Sequence, residues 1–169
     1  MTLAPPGGWR AMALSDVPVV HELARIVHPS FPEDEAVFAE RLVLFPQGCL
    51  VLPGADGLQG YMISHPYPAR AVPKLNARLG AIPDGATVYY IHDLALSRAT
   101  RGLRQGAAIA QYVKAIACGL GFADMALVAV NGSERFWHGQ GFRAVEDAAL
   151  AQALLGYGAD AQYMFQRLS

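Results

Sequence analysis

Tyr89-Tyr90-Ile91-His92-Asp93-Leu94-Ala95-Leu96, followed by Arg101-Gly102-Leu103-Arg104-Gln105-Gly106-Ala107-Ala108, decides how this chain folds. The first run reads as a strand, the second as a turn rich in arginine and glycine. A long apolar helix then extends to Cys118. Residues 125–130 read as another strand ending at Asn131, and Phe136-Trp137-His138-Gly139-Gln140-Gly141-Phe142 follows. A strand that opens through such a turn into a helix N-terminus suits a pyrophosphate, because backbone N–H groups converge there and the helix dipole adds partial positive charge. Two other nucleotide-binding patterns are excluded, since neither G-x-x-x-x-G-K-[ST] nor G-x-G-x-x-G occurs.

Outward from this stretch, residues 9–14 alternate as a first strand. Ser15-Asp16 gives an N-cap signal, and residues 17–27 carry helical spacing. In His28-Pro29-Ser30-Phe31-Pro32-Glu33-Asp34-Glu35-Ala36 two prolines break the chain, and the acidic residues suit the start of a second helix over 33–44. Strands over 50–52 and 58–64 are joined by Gly54-Ala55-Asp56-Gly57 as a hairpin turn. Residues 65–86 form a long link holding Pro66, Pro68, Pro73 and Pro83, with a short helix expected near 74–79. Loops of that length in compact domains are functional or disordered. Residues 142–145 read as a strand, 148–155 as one or two helical turns, Gly156-Tyr157-Gly158 as a flexible link and 161–168 as a closing strand.

A chain of 169 residues fits one domain, 1–169, with length enough for one good core. The net charge of −1 leaves no surplus of Lys and Arg to track phosphates, which argues against nucleic-acid binding. Cys49 and Cys118 make no disulfide framework and read as small buried apolar residues in a reducing compartment. Residues 1–8 lack the basic and apolar regions of a signal peptide, and no run of 18 apolar residues exists to span a membrane. The expected setting is cytoplasmic. No histidine or cysteine pair has H-x-x-x-H or C-x-x-C spacing, so no metal is inferred, and no G-x-S-x-G elbow occurs.

The order β-α-α-β-β-β-α-β-α-β-β, together with these motifs, resembles the GCN5-related N-acetyltransferases (GNAT) across residues 9–168. That family binds acetyl-CoA at a [QR]-x-x-G-x-[GA] turn; Arg101, Gly106 and Ala107 lie on or beside the pattern, and Arg104 stands where its first glycine is expected. Asn131, Phe136, Trp137, Gly141 and Phe142 match a later signature, with Trp137 in place of a tyrosine. Phe31-Pro32-Glu33-Asp34-Glu35-Ala36 and Ile91-His92-Asp93-Leu94-Ala95-Leu96 further resemble the arylalkylamine N-acetyltransferase branch. The resemblance implies an α/β fold with a mixed central sheet splayed near its middle and helices on both faces. It implies acetyl-CoA as co-substrate, held by Arg101, Gly102, Leu103, Arg104, Gln105, Gly106 and Ala107. The backbone of Leu94, Ala95 and Leu96, with Asn131 and Trp137, would line the pantetheine. An ordinary strand-to-helix turn with solvated arginines is the other reading of that turn.

Transfer of an acetyl group to an amine needs a base, and His92 is the candidate: an imidazole titrates at about 6.5 and accepts a proton near neutrality. The alternative is a core histidine bonded to a carbonyl. Tyr90 shares its face two residues away and would order a water or line the pocket, whereas Asp93 is expected on the opposite face, bracing a neighbour. Trp137 has an N–H but no useful acidity. The thiolate then leaves unassisted or takes its proton elsewhere, with Ser133 and Tyr90 as weak candidates. The expected acceptor is a small-molecule primary amine. The rivals are a protein or peptide amine, and a non-catalytic acyl-CoA sensor. The sequence leaves monomer or homodimer open.

Overall fold

The sheet is built in two halves joined by a short seam. In the computed structural model, which describes residues 3–169, strands β1 (Arg10–Ala11), β2 (Cys49–Gly54), β3 (Gly57–Tyr67) and β4 (Val88–Leu96) form an antiparallel meander. Strands β5 (Asp124–Ala129), β6 (Arg143–Ala144) and β7 (Gln162–Arg167) form the other half, in the overall order β1-β2-β3-β4-β5-β7-β6. Only β4 and β5 run parallel, and they pair only from Tyr89 with Met125 to Ile91 with Leu127. A parallel pair needs a crossover, which helix α3 (Gln105–Gly119) supplies. Past Ile91 the strands separate, and the edge of β4 that faces away from β3 has no partner strand.

Side-chain alternation divides the core. Tyr89 and Ile91 of β4, Met125 and Leu127 of β5 and Met164 of β7 pack beneath α3, which presents Ile109, Val113 and Ala117. That four-residue spacing is one helical face, and burying Ile109 or Val113 contributes on the order of 2 kcal/mol each. On the other face α1 (Val17–Val27) and α2 (Glu35–Leu44) cover Val51, Tyr61, Ile63 and Ala95. Farther along that face, Tyr90, Ala126 and Tyr163 pack with Leu150 of α5 (Ala148–Ala153). No described helix is long and apolar enough to cross a membrane.

Pairing between β3 and β4 shifts at one point. Ile63 faces Asp93 and Ser64 faces Ile91, so His92 is an extra residue in β4 with no counterpart. Such a bulge turns the strand and sharpens its twist. It also resets the alternation. Asp93 therefore returns to the face of Tyr90 and Ile63, instead of pointing to the opposite face as simple alternation predicts.

The link between β3 and β4 has no helix. Only a turn at Leu75 and Asn76 stands where a helix over 74–79 is expected. Its backbone is satisfied by side chains from elsewhere. The Tyr163 hydroxyl accepts from the Arg70 N–H (3.0 Å), and the Tyr157 hydroxyl donates to the Pro73 carbonyl (2.6 Å). Glu33 accepts from the Asn76 N–H (3.1 Å), and Glu40 accepts from those of Leu79 (2.7 Å) and Gly80 (3.0 Å). The buried Arg41 reaches the Ala77 carbonyl. With so many tertiary anchors a local helix gains little.

Other boundaries also differ from expectation. The first strand shrinks to Arg10–Ala11 because Asp16, rather than capping α1, accepts from the Ala13 N–H and pairs with Arg10. The second helix starts at Glu35, since Glu33 turns inward. Tyr157 lies in a 3-10 turn (Leu154–Tyr157) tied to the link, not in a flexible connection. The strand expected over 142–145 pairs only at Arg143 and Ala144, while Phe142 is in the core. Cys49 is buried, but Cys118, near the end of α3, is exposed. The reading of residues 1–8 as lacking a leader extends to residues 1 and 2, which lie outside the described residues.

His65, fully buried, packs its ring about 6 Å from those of Tyr67, Tyr90 and His92 and donates from Nδ1 to the Pro66 carbonyl at 2.9 Å. Burial first, and then His92, push its pKa down to about 3. The folded protein therefore refuses a proton that the unfolded chain takes up in the ordinary histidine range, and stability falls as pH drops through that window. For His65→Phe we expect a flatter acid limb, with roughly 3 kcal/mol less destabilisation at pH 4 relative to pH 7. Denaturant titrations across that range measure it; parallel curves for the two proteins would refute the assignment.

Candidate active site

The separation of β4 from β5 opens a cleft of about 420 Å³. Leu94 and Leu96 of β4, Val130 and Asn131 after β5, and Phe136 and Trp137 of α4 (Glu134–Gly139) line it, with Arg101 at one end. A smaller cavity of about 50 Å³ lies beyond, bounded by Phe31, Glu33, Leu75, Tyr90 and Tyr157. His28, His92, Asp93, Val128 and Val130 belong to the walls of both. The two spaces meet at the bulge.

Beyond Leu96 a 3-10 turn (Arg98–Thr100) leads to the first turn of α3. Arg104 caps it in the left-handed region, at φ 59° and ψ 13°, and Gly102 also has positive φ, at 81°. Among the described residues, the amides of Arg104, Gln105, Gly106 and Ala107 have no protein acceptor; the first amide bonded back is that of Ala108, to the Arg104 carbonyl. Arg98, Arg101 and Arg104 are exposed, and none pairs with a carboxylate among the described residues. Free amides, a helix dipole and three guanidinium groups without a carboxylate partner among the described residues are a set that could hold an anion such as a pyrophosphate. Gly106 is buried beneath α4: a Cβ there would lie 3.2 Å from Phe136 and 3.3 Å from Leu96. A larger residue there would press on both side chains, which line the cleft.

The expected residues divide accordingly. Leu94, Leu96, Arg101, Asn131 and Trp137 line the cleft, whereas Gly102 to Ala107 are not part of its lining; of these, Gly106 lies against Leu96 and Phe136, which are. The Ala95 side chain is buried against α1 and α2, so only its backbone can face the cleft. Tyr90 belongs to the smaller cavity. Burial above all raises its phenol well beyond the ordinary value, so its hydroxyl holds its proton and cannot serve as a ready acid. Trp137 packs edge-on against Phe136 and Phe142, with ring centres 4.8 and 5.7 Å away.

His92 Nε2 lies 2.9 Å from Glu33 Oε1, and their side chains are 4% and 6% exposed. An ionised carboxylate only accepts, so Nε2 donates to it. Nδ1 is buried and has no hydrogen-bond partner among the described residues. Glu33 uses its other oxygen to hold the Asn76 N–H. A second pair adjoins the first: His28, just past α1, places Nε2 3.0 Å from Asp93 Oδ1. Asp93 Oδ2 accepts the Tyr61 hydroxyl at 2.5 Å. Burial opposes ionisation of Asp93, but His28 foremost, then His92 and Tyr61, hold its carboxyl below the ordinary value.

Sequence reasoning missed the partners Glu33, His28 and Tyr61. By sequence Glu33 reads as part of a helix start, and His28 only opens the stretch that two prolines break.

No protein-family model matches the chain, and no curated protein matches it by sequence. Solved structures do match in fold. The GphF GNAT-like decarboxylase in complex with isobutyryl-CoA superposes with a TM-score of 0.76 at 16% identity, over 95% of this chain and 99% of that one. The loading GNATL domain of CurA from Lyngbya majuscula gives 0.75 at 10% identity, over 94% and 96%. Ard1 from Thermoplasma volcanium gives 0.72 at 16%, over 95% and 97%. The chain has the GNAT fold.

The left-handed backbone of Arg104 carries a strain of roughly 1–2 kcal/mol for a residue with a Cβ, against an entropic penalty of roughly 0.5–1 kcal/mol for glycine. Arg104→Gly should therefore raise stability by about 0.5–1 kcal/mol. Urea unfolding checks this; equal or lower stability in the variant would mean that contacts of the arginine offset its backbone.

Proposed function

We propose that this protein transfers an acetyl group from acetyl-CoA to a small primary amine, directly and within a ternary complex. The meeting of the two cavities at His92 is the observation that carries this reading. The larger cleft leads from an anion-binding helix start along the unpaired edge of β4, as a pantetheine arm requires. The smaller one is walled by aromatic rings and a carboxylate, as an amine requires.

Each residue then has a task. The amides of Arg104 to Ala107, with Arg101, hold the pyrophosphate of the bound co-substrate. Gly102 and Leu103 shape that turn. The backbone of Leu94, Ala95 and Leu96 meets the pantetheine and polarises the acetyl carbonyl, and Asn131 and Trp137 close the opposite wall. Glu33 orients His92 and fixes its tautomer, so Nδ1 accepts the proton of the attacking amine. Phe31, Tyr90 and Tyr157 flank the amine's apolar part.

The charge of the junction bears on the acceptor. Glu33 and Asp93 converge there, which draws in an ammonium group and repels a substrate carboxylate. On that ground we prefer amine acetylation to a decarboxylation of the kind for which GphF is named. The small volume of the acceptor cavity, closed by Leu75 and Tyr157, favours a compact amine over a peptide chain. An arylalkylamine would suit the aromatic walls.

An amine panel followed by CoA release tests the reading: turnover with compact primary amines supports it, and tight CoA binding without turnover on any amine refutes it in favour of a sensor. His92→Gln should lower kcat by about 10²–10⁴, with acetyl-CoA affinity retained and the acidic limb of kcat/KM lost or shifted. A wild-type rate and limb would remove His92 from the mechanism.

Ala107→Asp provides the matching test of the anion site. A carboxylate in the first turn of α3 favours the helix, so the melting temperature without ligand should hold or rise. The stabilisation given by acetyl-CoA should vanish, because the carboxylate faces the phosphates. An unchanged ligand-induced shift would refute the placement.

A further inference from the structure

Buried polar groups in folded proteins find hydrogen-bond partners almost without exception. In the wall of the smaller cavity the protein supplies most of them. Glu33 meets His92 and the Asn76 N–H, and Asp93 meets the Tyr61 hydroxyl and His28. The Tyr157 hydroxyl donates to the Pro73 carbonyl, and His28 Nδ1 accepts from the Asn131 side-chain amide. Two side-chain groups of this wall are left with no polar partner among the described residues. One is His92 Nδ1. The other is the hydroxyl of Tyr90, a residue only 2% exposed. Phe31, Leu75, Val128 and Val130 complete the wall and are apolar.

The two free groups differ in place. His92 belongs to both cavities, whereas Tyr90 belongs to the smaller one alone. An amine that meets His92 therefore sits at the junction, and Tyr90 meets the far end of the same molecule. The ring of Tyr90 is held from behind, with those of Tyr67 and His65 centred 5.6 and 5.9 Å away, so its hydroxyl has a fixed position. Glu33 and Asp93 disfavour a carboxylate in this space, which leaves a neutral oxygen as the matching group. Resting on the acetyltransferase reading above, we propose that Tyr90 determines specificity by donating its hydroxyl hydrogen to a neutral oxygen of the acceptor, and that the acceptor is a small amino alcohol.

The chemistry of the phenol agrees. Burial above all, then the neighbouring phenols and Glu33, hold its pKa well above the ordinary value, so the hydroxyl keeps its proton and stays a donor wherever His92 can work as a base. A cavity of about 50 Å³ keeps the carbon chain between amine and oxygen short, and the rings of Phe31, Tyr90 and Tyr157 flank that chain. A plain alkylamine of equal size would leave the phenol buried and unpaired. Selection therefore rests on the missing oxygen and not on length.

Amines matched in size test this. Ethanolamine against propylamine, and propanolamine against butylamine, each exchange one hydroxyl for a methyl group. With acetyl-CoA, the wild type should favour the hydroxylated member of at least one pair by about 10–100-fold in kcat/KM. Tyr90→Phe should shrink that ratio to within about threefold, through loss on the hydroxylated amine. Because the hydroxyl has no protein partner, Tyr90→Phe should also hold or raise the melting temperature without ligand. Calorimetric titration of the same amines into the unliganded protein should show the same preference and its loss, with no need of turnover. A wild-type ratio near one in both pairs, a ratio that survives in Tyr90→Phe, or a variant that melts lower without ligand overturns the proposal. A wild type that binds acetyl-CoA but releases no CoA with any amine overturns the acetyltransferase reading instead. The calorimetric preference then decides the Tyr90 contact separately: present and lost in Tyr90→Phe it upholds the contact, and absent it overturns it.

Discussion

One extra residue in β4 sets the whole arrangement. Without the bulge at His92, Asp93 would face α3 and the core beneath it, and β4 could continue to pair with β5. With it, the strand turns as its parallel partner diverges, and two consecutive polar side chains leave the sheet on the side of α1 and α2. The cleft, the unpaired edge of β4 and the junction of the two cavities all follow from that local change of register. Bulges gather next to active sites because they re-aim a side chain without disturbing the pairing on either side.

The polar cluster at the bulge is expensive to bury, and the fold compensates each charge. Isolated carboxylates in an apolar interior are strongly disfavoured. Asp93 meets an imidazole and a phenol; Glu33 meets an imidazole and a backbone amide. A core made for stability alone would fill this space with apolar side chains. The retained cluster, in which His92 Nδ1 has no hydrogen-bond partner among the described residues, is the one the proposed proton transfer uses.

Much of this was legible in the sequence where periodicity or turn chemistry is local. The β4 run, the apolar face of α3, the hairpin between β2 and β3 and the phosphate-type turn all stand close to where the residues predict them. His92 also emerges, as a histidine on the strand that enters that turn. The misses have physical causes. Alternation sends Asp93 to the wrong face because it assumes an unbroken strand, and nothing in Ile91-His92-Asp93-Leu94 marks the extra residue. The helix expected over 74–79 gave way to tertiary hydrogen bonds from Glu33, Glu40 and Arg41, none of them local. His28 and Glu33 lie about sixty residues before their partners, and only the topology brings them together. The acidic run after Pro32 was a usable signal, since Glu33 precedes the helix it was thought to begin.

Glu33 also joins two properties that enzymes commonly keep apart. One oxygen holds His92 and the other holds Asn76 of the long link, whose Leu75 walls the smaller cavity. On the proposed reading, the segment that walls the acceptor cavity and the ring that accepts the proton are therefore anchored to the same carboxylate. Substitutions over 74–80 that reshape the pocket will disturb the imidazole as well. If His92 is the base as proposed, selectivity and turnover are coupled along this stretch, and a lineage that changes its acceptor by altering it must re-establish the Glu33 contact before it recovers its rate.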